Sequence, residues 1–173
     1  GIPSEELLAE MRAPEREMFY LVGTPRGKIR QYEKQWLALP WSKVRDSVEV
    51  KLFADGSDMY VLAKSEGRRA KETAIRRRKL ARLLWKLRAM RRSLPERDAL
   101  LMRIGAAKSE AGRAFGFVRL TLPKAKEEVT RMSFQFRLDK KKLEAAELLD
   151  GHYLLRTNLT GEDPAVLWDR YIQ

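Results

Sequence analysis

The stretch VEVKLFADGSDMYVLAKSEGRRAKETAIRRRKLARLLWKLRAMRRSL, residues 48–94, decides the fold class because its hydrophobic period changes once along its length. Apolar and polar residues alternate in Val48–Leu52, and a second apolar run, Met59–Ala63, follows the turn residues Asp55 and Gly56. This pattern predicts an antiparallel β-hairpin, placed at 47–64. The remainder has apolar residues every three or four positions, which is typical of a long helix.

The long helix is predicted to end near Ser93 and to pair with a second helix. Its apolar positions are Leu80, Leu83, Leu84, Leu87, Met90 and Leu94. Pro95 suits the first turn of the second helix, whose apolar positions are Leu101, Ile104, Ala107 or Lys108, Ala111, Phe115 and Val118. The two stripes are expected to bury against each other as a helical hairpin over 66–118. The residues expected on or beside its exposed face are Arg76, Arg77, Arg78, Arg82, Lys86 and Arg92.

The flanking segments mix strands with capped helices. At the start, Ser4 suits the N-cap of a helix over 4–13, and the apolar run 18–24 suits a buried strand. The later elements are a one-faced strand over 129–138, a helix over 140–149 capped by Asp139 and ended by Gly151, a strand over 153–156, and a helix over 165–173 begun by Asp163 and Pro164. The predicted fold class is therefore α+β.

The composition of the chain excludes several classes of protein. The 173 residues are 44% hydrophobic and carry a net charge of +12, with one His and no Cys. Without cysteine there is no disulfide framework, thiolate nucleophile or zinc finger. The start carries acids and no continuous apolar run, and no stretch approaches the length of a membrane span. A soluble cytoplasmic protein that does not bind membranes is expected.

The basic excess is concentrated in one segment. Between Lys64 and Arg92 there are thirteen Lys and Arg against two acids, whereas the rest of the chain has 23 basic and 22 acidic residues. Clustered guanidinium groups neutralise phosphates without reading sequence, so this segment predicts contacts to double-stranded DNA. The predicted phosphate contacts are Arg68, Arg69, Arg76, Arg77, Arg78, Lys79, Arg82, Lys86 and Arg91.

Other candidate sites have structural explanations. Thr24–Lys28 lacks the spacing of a nucleotide-binding phosphate loop. Asp139 and Asp163 are better explained as helix caps than as metal ligands, and His152 has no second His or Cys to complete a ligand set. No catalytic residue, metal ligand or cofactor is predicted for this chain.

Five phrases resemble DDE transposases of bacterial insertion sequences, and the resemblance spans nearly the whole chain. They are IPSEELLAEM (2–11), YLVGTP (20–25), VEVKL (48–52), RRRKL (76–80) and DGHYLLRTN (150–158). The resemblance implies an RNase H-like catalytic domain in which two Asp and one Glu hold two Mg²⁺ ions. It also implies a long insertion between the second Asp and the Glu.

Aligned by these phrases, Gly1 falls just after the second catalytic Asp and Gln173 shortly before the catalytic Glu. The resemblance then assigns 1–24 to the catalytic domain, 25–150 to the insertion, and 151–173 to the return strand and the start of the helix with the Glu. Tyr171 matches the tyrosine of the Tyr, Arg, Glu, Lys signature. Implied partners are transposon-end DNA and, for the intact parent, a second copy; DNA cleavage, with Mg²⁺, belongs to the parent.

Two alternatives from other classes stay open. The helical hairpin could instead be a protein-interaction or dimerisation module whose charge keeps it in solution. The chain could also be an RNA-binding protein, which would stack bases on exposed aromatic side chains. Tyr153, Phe134 and Phe136 are the candidates for that stacking, although their apolar alternation favours the core.

Overall fold

The structure, a computed structural model, describes residues 2–15 and 18–173. The strands are β1 (Leu21–Thr24), β2 (Ser42–Arg45), β3 (Val48–Asp55), β4 (Asp58–Ser65), β5 (Val118–Thr121), β6 (Gln135–Leu138) and β7 (His152–Thr157). The helices are α1 (Glu5–Met11), α2 (Gly27–Gln31), α3 (Glu33–Trp36), α4 (Glu66–Ser93), α5 (Arg97–Ala111), α6 (Lys140–Leu148) and α7 (Pro164–Ile172). The chain divides into two compact units, here called the sheet unit (Gly1–Ala70 with Gly151–Gln173) and the helical unit (Lys71–Asp150). The α+β class is confirmed.

The sheet unit is built on a five-stranded antiparallel sheet of order β1-β7-β4-β3-β2. The predicted hairpin forms its centre: β3 and β4 pair from Val48 with Ser65 to Asp55 with Asp58. Gly56 supplies the positive φ of 62° that the tight turn requires. The hairpin thus lies in the same sheet as β1 and β7. The boundary between the two compact units therefore does not fall between residues 24 and 25, where the resemblance places the start of the insertion.

Both faces of this sheet are covered. On one face Val61, Ala63 and Leu155 pack with Leu167 and Trp168 of α7. On the other face, the ring of Tyr60 lies 4.6 Å from that of Tyr32, between α2 and α3. Because it is covered on both sides, β4 buries four consecutive residues, 60–63, instead of alternating.

Helix caps in the sheet unit follow the local sequence. Ser4 Oγ accepts from the Leu7 amide at 3.2 Å, and Asp163 accepts from the Ala165 amide at 2.7 Å with Pro164 at the start of α7. Both predicted caps are confirmed.

One expectation for the sheet unit was wrong, and one strand was missed. The run 18–24 is not a buried strand: Met18 and Phe19 are exposed, and only Leu21–Thr24 pairs, half-buried, at the sheet edge. The strand β2 was not predicted. It has only one partly buried residue, Val44, so its sequence lacks the alternation that marks a strand.

The helical unit packs α4 against α5, as predicted. Its core is formed by Leu80, Leu83, Leu87, Met90, Leu100, Ile104, Ala107, Ala111, Ala114, Val118, Val129 and Phe134. Leu100 is fully buried while Leu101 is half-buried, so the predicted stripe of α5 was wrong at its first position.

The predicted continuation of α5 to 118 and the predicted strand over 129–138 were both too long. A 3-10 helix, Gly112–Phe117, follows α5 because Gly112 takes a φ of 54°, which an α-helix does not allow. Only 135–138 forms a strand, paired with the unpredicted β5. The predicted cap of α6 is confirmed, since Asp139 accepts from the Lys142 amide at 3.1 Å.

Candidate nucleic-acid interface

The two units differ sharply in charge. Residues 71–150 hold 22 Lys and Arg against 10 Asp and Glu, whereas the rest of the chain holds 14 of each. The whole net charge of +12 therefore belongs to the helical unit. A field of this size attracts polyanions and raises their local concentration at the surface that carries it.

The long helix α4 presents cations on the side opposite its leucines. Arg78, Arg82, Trp85, Arg88 and Arg92 recur every three or four residues and all are exposed. At a rise of about 1.5 Å per residue, the span from Arg78 to Arg92 is about 21 Å. Trp85, 63% exposed, lies in the middle of this outer stripe. The helix therefore offers a straight basic ridge with one aromatic side chain.

Arg76 has a different environment from its neighbours. It was expected on or beside the exposed face, but its side chain is only 16% exposed and pairs with Asp150, which is fully buried. Arg76 Nη1 donates to Asp150 Oδ2 at 2.5 Å, and Thr73 Oγ1 donates to the same oxygen at 2.7 Å. Burial alone would raise the pKa of Asp150, but the hydrogen bonds from Arg76 and Thr73 outweigh it and lower the pKa. The side chain of Arg76 is thus fixed by its ion pair with Asp150 inside the helical unit.

Three other predicted cations make surface ion pairs. Arg77 pairs with Glu147 at 3.1 Å, and Arg82 pairs with Glu110 at 3.3 Å. Lys86 also donates to Glu110, and the pKa of Glu110 is lowered chiefly by that hydrogen bond. Exposed pairs of this kind are weak, so their cations remain able to exchange a carboxylate for a phosphate.

The remaining cations of α4 in the helical unit are unpaired. Of the predicted set, Arg78, Lys79 and Arg91 make no ion pair or side-chain hydrogen bond with the described residues. The same holds for Lys71, Arg88 and Arg92, which the predicted set did not include. The basic run itself could have indicated Arg88 and Arg92, because they share the spacing of Arg78 and Arg82.

Arg68 and Arg69 belong to the sheet unit. The guanidinium of Arg68 lies 5.2 Å from the centre of the Tyr153 ring, which Arg26 also contacts at 4.8 Å. Arg69 pairs with Glu66 at 3.5 Å within the first turn of α4. The structure therefore does not bring these two predicted residues into the same unit as the other seven.

Tyr171, the residue matched to the signature tyrosine, packs inside the sheet unit. Its ring lies 6.0 Å from that of Trp168. A Cβ added to Gly23 of β1 would lie 3.1 Å from Tyr171 Oη, so the absence of a side chain at Gly23 makes room for the phenol. Tyr171 thus contributes to the packing of α7 on the sheet.

A groove at the far end of α4 was not predicted as a site, although Arg91 was a predicted phosphate contact, Arg92 was expected on or beside the exposed face, and Phe136 was a candidate for base stacking. It encloses about 380 Å³ and is lined by Arg88, Arg91, Arg92, Arg131 and Phe136. Arg131 precedes β6 and is remote in sequence from α4, so no spacing pattern could place it there. We call this site the arginine groove.

Among residues 2–15 and 18–173, no three His, Asp or Glu side chains lie close enough to share a metal ion. Asp139 and Asp163 cap helices, as predicted. His152 makes an edge contact with Trp41, with ring centroids 6.2 Å apart. The described residues therefore do not fit a Mg²⁺ site.

Comparison of the chain with family models, with curated proteins and with solved structures gave no match. In the described part of the chain, no helix is both long enough and apolar enough to cross a membrane.

Proposed function

We propose that the helical unit binds double-stranded DNA through its phosphates, with the exposed face of α4 as the contact surface. The observation that carries this proposal is the confinement of the whole net charge of +12 to residues 71–150. The residues proposed to touch phosphates are Lys71, Arg78, Lys79, Arg88 and Arg92, with Arg82 and Lys86 recruited from their pairs with Glu110.

The electrostatics favour this use of the ridge. Each phosphate that a Lys or Arg neutralises releases condensed counterions, which drives binding without regard to base sequence. The five unpaired cations of this contact set have no carboxylate to give up, so their contact with DNA replaces only water and salt ions. Arg76 is left out of the proposed contact set because Asp150 already occupies its guanidinium.

Within the same function, we propose that the chain is part of a DDE transposase of the RNase H-like class, with the helical unit inside the insertion. The support is the resemblance of the five phrases to that family. On this proposal α4 holds transposon-end or flanking DNA, while strand cleavage and transfer are carried out by catalytic acids and Mg²⁺ of the intact enzyme.

The test is the salt dependence of duplex binding, measured by fluorescence anisotropy with a blunt duplex that carries 5′-hydroxyl ends. If about five of the seven proposed cations touch phosphates at the same time, a plot of log affinity against log salt should have a slope of about −4 to −5. Changing the base sequence of the duplex should leave the affinity nearly unchanged, because phosphate contacts carry no sequence information.

Matched double variants locate the surface. Arg78→Gln with Lys79→Gln removes two unpaired cations of α4 and should make the slope shallower by about 2. Arg30→Gln with Lys34→Gln removes the same charge from exposed positions of the sheet unit and should leave the slope unchanged. A flat salt response, or equal losses from both double variants, would contradict the proposal.

A self-association function has one supporting observation. Trp85 is 63% and Met102 77% exposed in the helical unit, and exposed apolar side chains mark a protein contact where they form one contiguous patch. Sedimentation of the chain alone and with a duplex separates the two functions, since a dimerisation module would self-associate without DNA and ignore the duplex.

A further inference from the structure

Four arginines and no acid line the arginine groove. Three of them, Arg88, Arg91 and Arg92, come from the last two turns of α4, and Arg131 comes from the segment before β6. None of the four makes an ion pair or side-chain hydrogen bond with the described residues. Like charges held around one concave site repel one another, so this arrangement favours an anion between them.

The position of Arg131 is set by a tight turn. The Thr130 amide donates to Ser133 Oγ at 2.8 Å, and Ser133 Oγ donates to the Glu128 carbonyl at 2.7 Å. The Phe134 amide closes the turn on the Thr130 carbonyl at 3.0 Å, and Phe134 is itself fully buried. The guanidinium therefore extends from an ordered backbone, which reduces the entropy lost when it binds a ligand.

The three arginines of α4 are positioned by the packing of the helix. Leu87 and Met90 are buried on the inner side of the same two turns, so the helix cannot rotate its basic residues away without exposing them. Phe136, which is half-buried, also lines the groove and adds an aromatic surface to it. The site therefore combines several guanidinium donors with a face on which a planar ring can stack.

We propose that the arginine groove binds the terminal phosphate of a nucleic-acid strand, with the terminal base against Phe136. This inference rests on the proposed function and adds a second contact to it, in which Arg88 and Arg92 of the proposed contact set take part, whereas Arg131 belongs to this second contact alone. A terminal phosphate carries more charge than an internal phosphodiester and has three free oxygens that accept hydrogen bonds from several directions. A groove lined by guanidinium donors from two separate segments of the chain suits that group better than the convex backbone of a continuous duplex.

The test compares two duplexes of the same sequence, one with 5′-phosphate and one with 5′-hydroxyl ends, by anisotropy on the full chain. The phosphorylated duplex should bind about 10-fold more tightly, since charge-assisted hydrogen bonds are roughly twice as strong as neutral ones. Arg131→Gln should abolish this difference and leave binding of the hydroxyl duplex nearly unchanged. The matched variant Arg103→Gln, which removes an exposed unpaired arginine from α5, should keep the difference.

Equal affinity for the two duplexes would overturn the groove assignment while leaving the proposed function intact. If neither duplex binds, the proposed function fails. The groove can then be tested alone with a 5′-phosphorylated tetranucleotide in a thermal-shift assay. Stabilisation that is lost in Arg131→Gln and absent with the hydroxyl tetranucleotide would support the assignment. Equal stabilisation by inorganic phosphate at the same concentration would overturn the requirement for a strand.

Discussion

The sheet unit and the helical unit use charge in different ways. In the sheet unit 14 basic residues meet 14 acidic ones, while in the helical unit 22 meet only 10. A charge that served only to keep the chain in solution would have no reason to be confined to one unit. The proposed function accounts for this confinement, because a polyanion would be met by one charged surface.

The interiors of the two units are more alike than their surfaces. Each buries one carboxylate against arginine: Asp58 in the sheet unit accepts from Arg156 Nε at 2.6 Å and also pairs with Arg12, and Asp150 in the helical unit pairs with Arg76. The difference between the units therefore lies in the unpaired cations of the surface.

The largest expected effect concerns the buried pair of the helical unit. Asp150→Ala leaves the Arg76 guanidinium without its carboxylate, which should lower the free energy of unfolding by about 3–5 kcal/mol. Glu147→Ala, which removes the half-buried partner of the exposed Arg77, should change stability little. Urea denaturation of the two variants measures the contrast. Similar losses would show that surface and interior pairs are equivalent here.

The ion pair between Asp150 and Arg76 also makes the stability of the folded chain depend on pH. Because the pKa of Asp150 is lowered in the folded state, its contribution is present above the unfolded pKa of about 3.9 and is lost as the pH falls through the folded value. The native chain should therefore lose stability at acid pH more steeply than Asp150→Ala.

A smaller loss of stability is expected from a substitution at Gly151, which precedes β7 in the sheet unit. Its cause is steric. Gly151 has a φ of +72°, and an added Cβ would lie 2.5 Å from the Ser65 carbonyl oxygen and 2.7 Å from Arg69 Cβ. Gly151→Ala should therefore cost about 3 kcal/mol, combining backbone strain with the clash. Gly161→Ala, with a φ of +80° but open space, should cost only about 1 kcal/mol. Thermal unfolding of both variants compares them, and equal losses would exclude a packing role for Gly151.

The smallest expected effect concerns Glu110, an acidic residue on the surface of the helical unit. Glu110→Gln frees Arg82 and Lys86 from their carboxylate. Duplex binding should become about 2- to 5-fold tighter, which corresponds to the free energy of a weak surface ion pair. Glu33→Gln, an exposed acid of the sheet unit, is the control and should have no effect on affinity. Anisotropy at one fixed salt concentration is sufficient. An unchanged affinity in Glu110→Gln would place the DNA contact away from Arg82.

Local signals in the sequence predicted much of the fold. The hairpin over 47–64, the two long helices and the caps at Ser4, Asp139 and Asp163 were all predictable, because each depends on residues within a few positions of one another. The short strands β2 and β5 were not, since they are defined by their partners. The order of the sheet was not predictable either, because it joins residues between 88 and 136 positions apart.

The candidate interface divides in the same way. The sequence by itself determined that a basic helix exists and which of its sides carries leucine. Both properties depend only on residues that are close together in the sequence. Only the tertiary structure decided that Arg76 is held by Asp150 while Arg78 stays unpaired, and that Arg131 joins Arg88 in one groove. The physical reason is that the role of a guanidinium depends on the anion within reach, and distant segments of the chain meet only after folding.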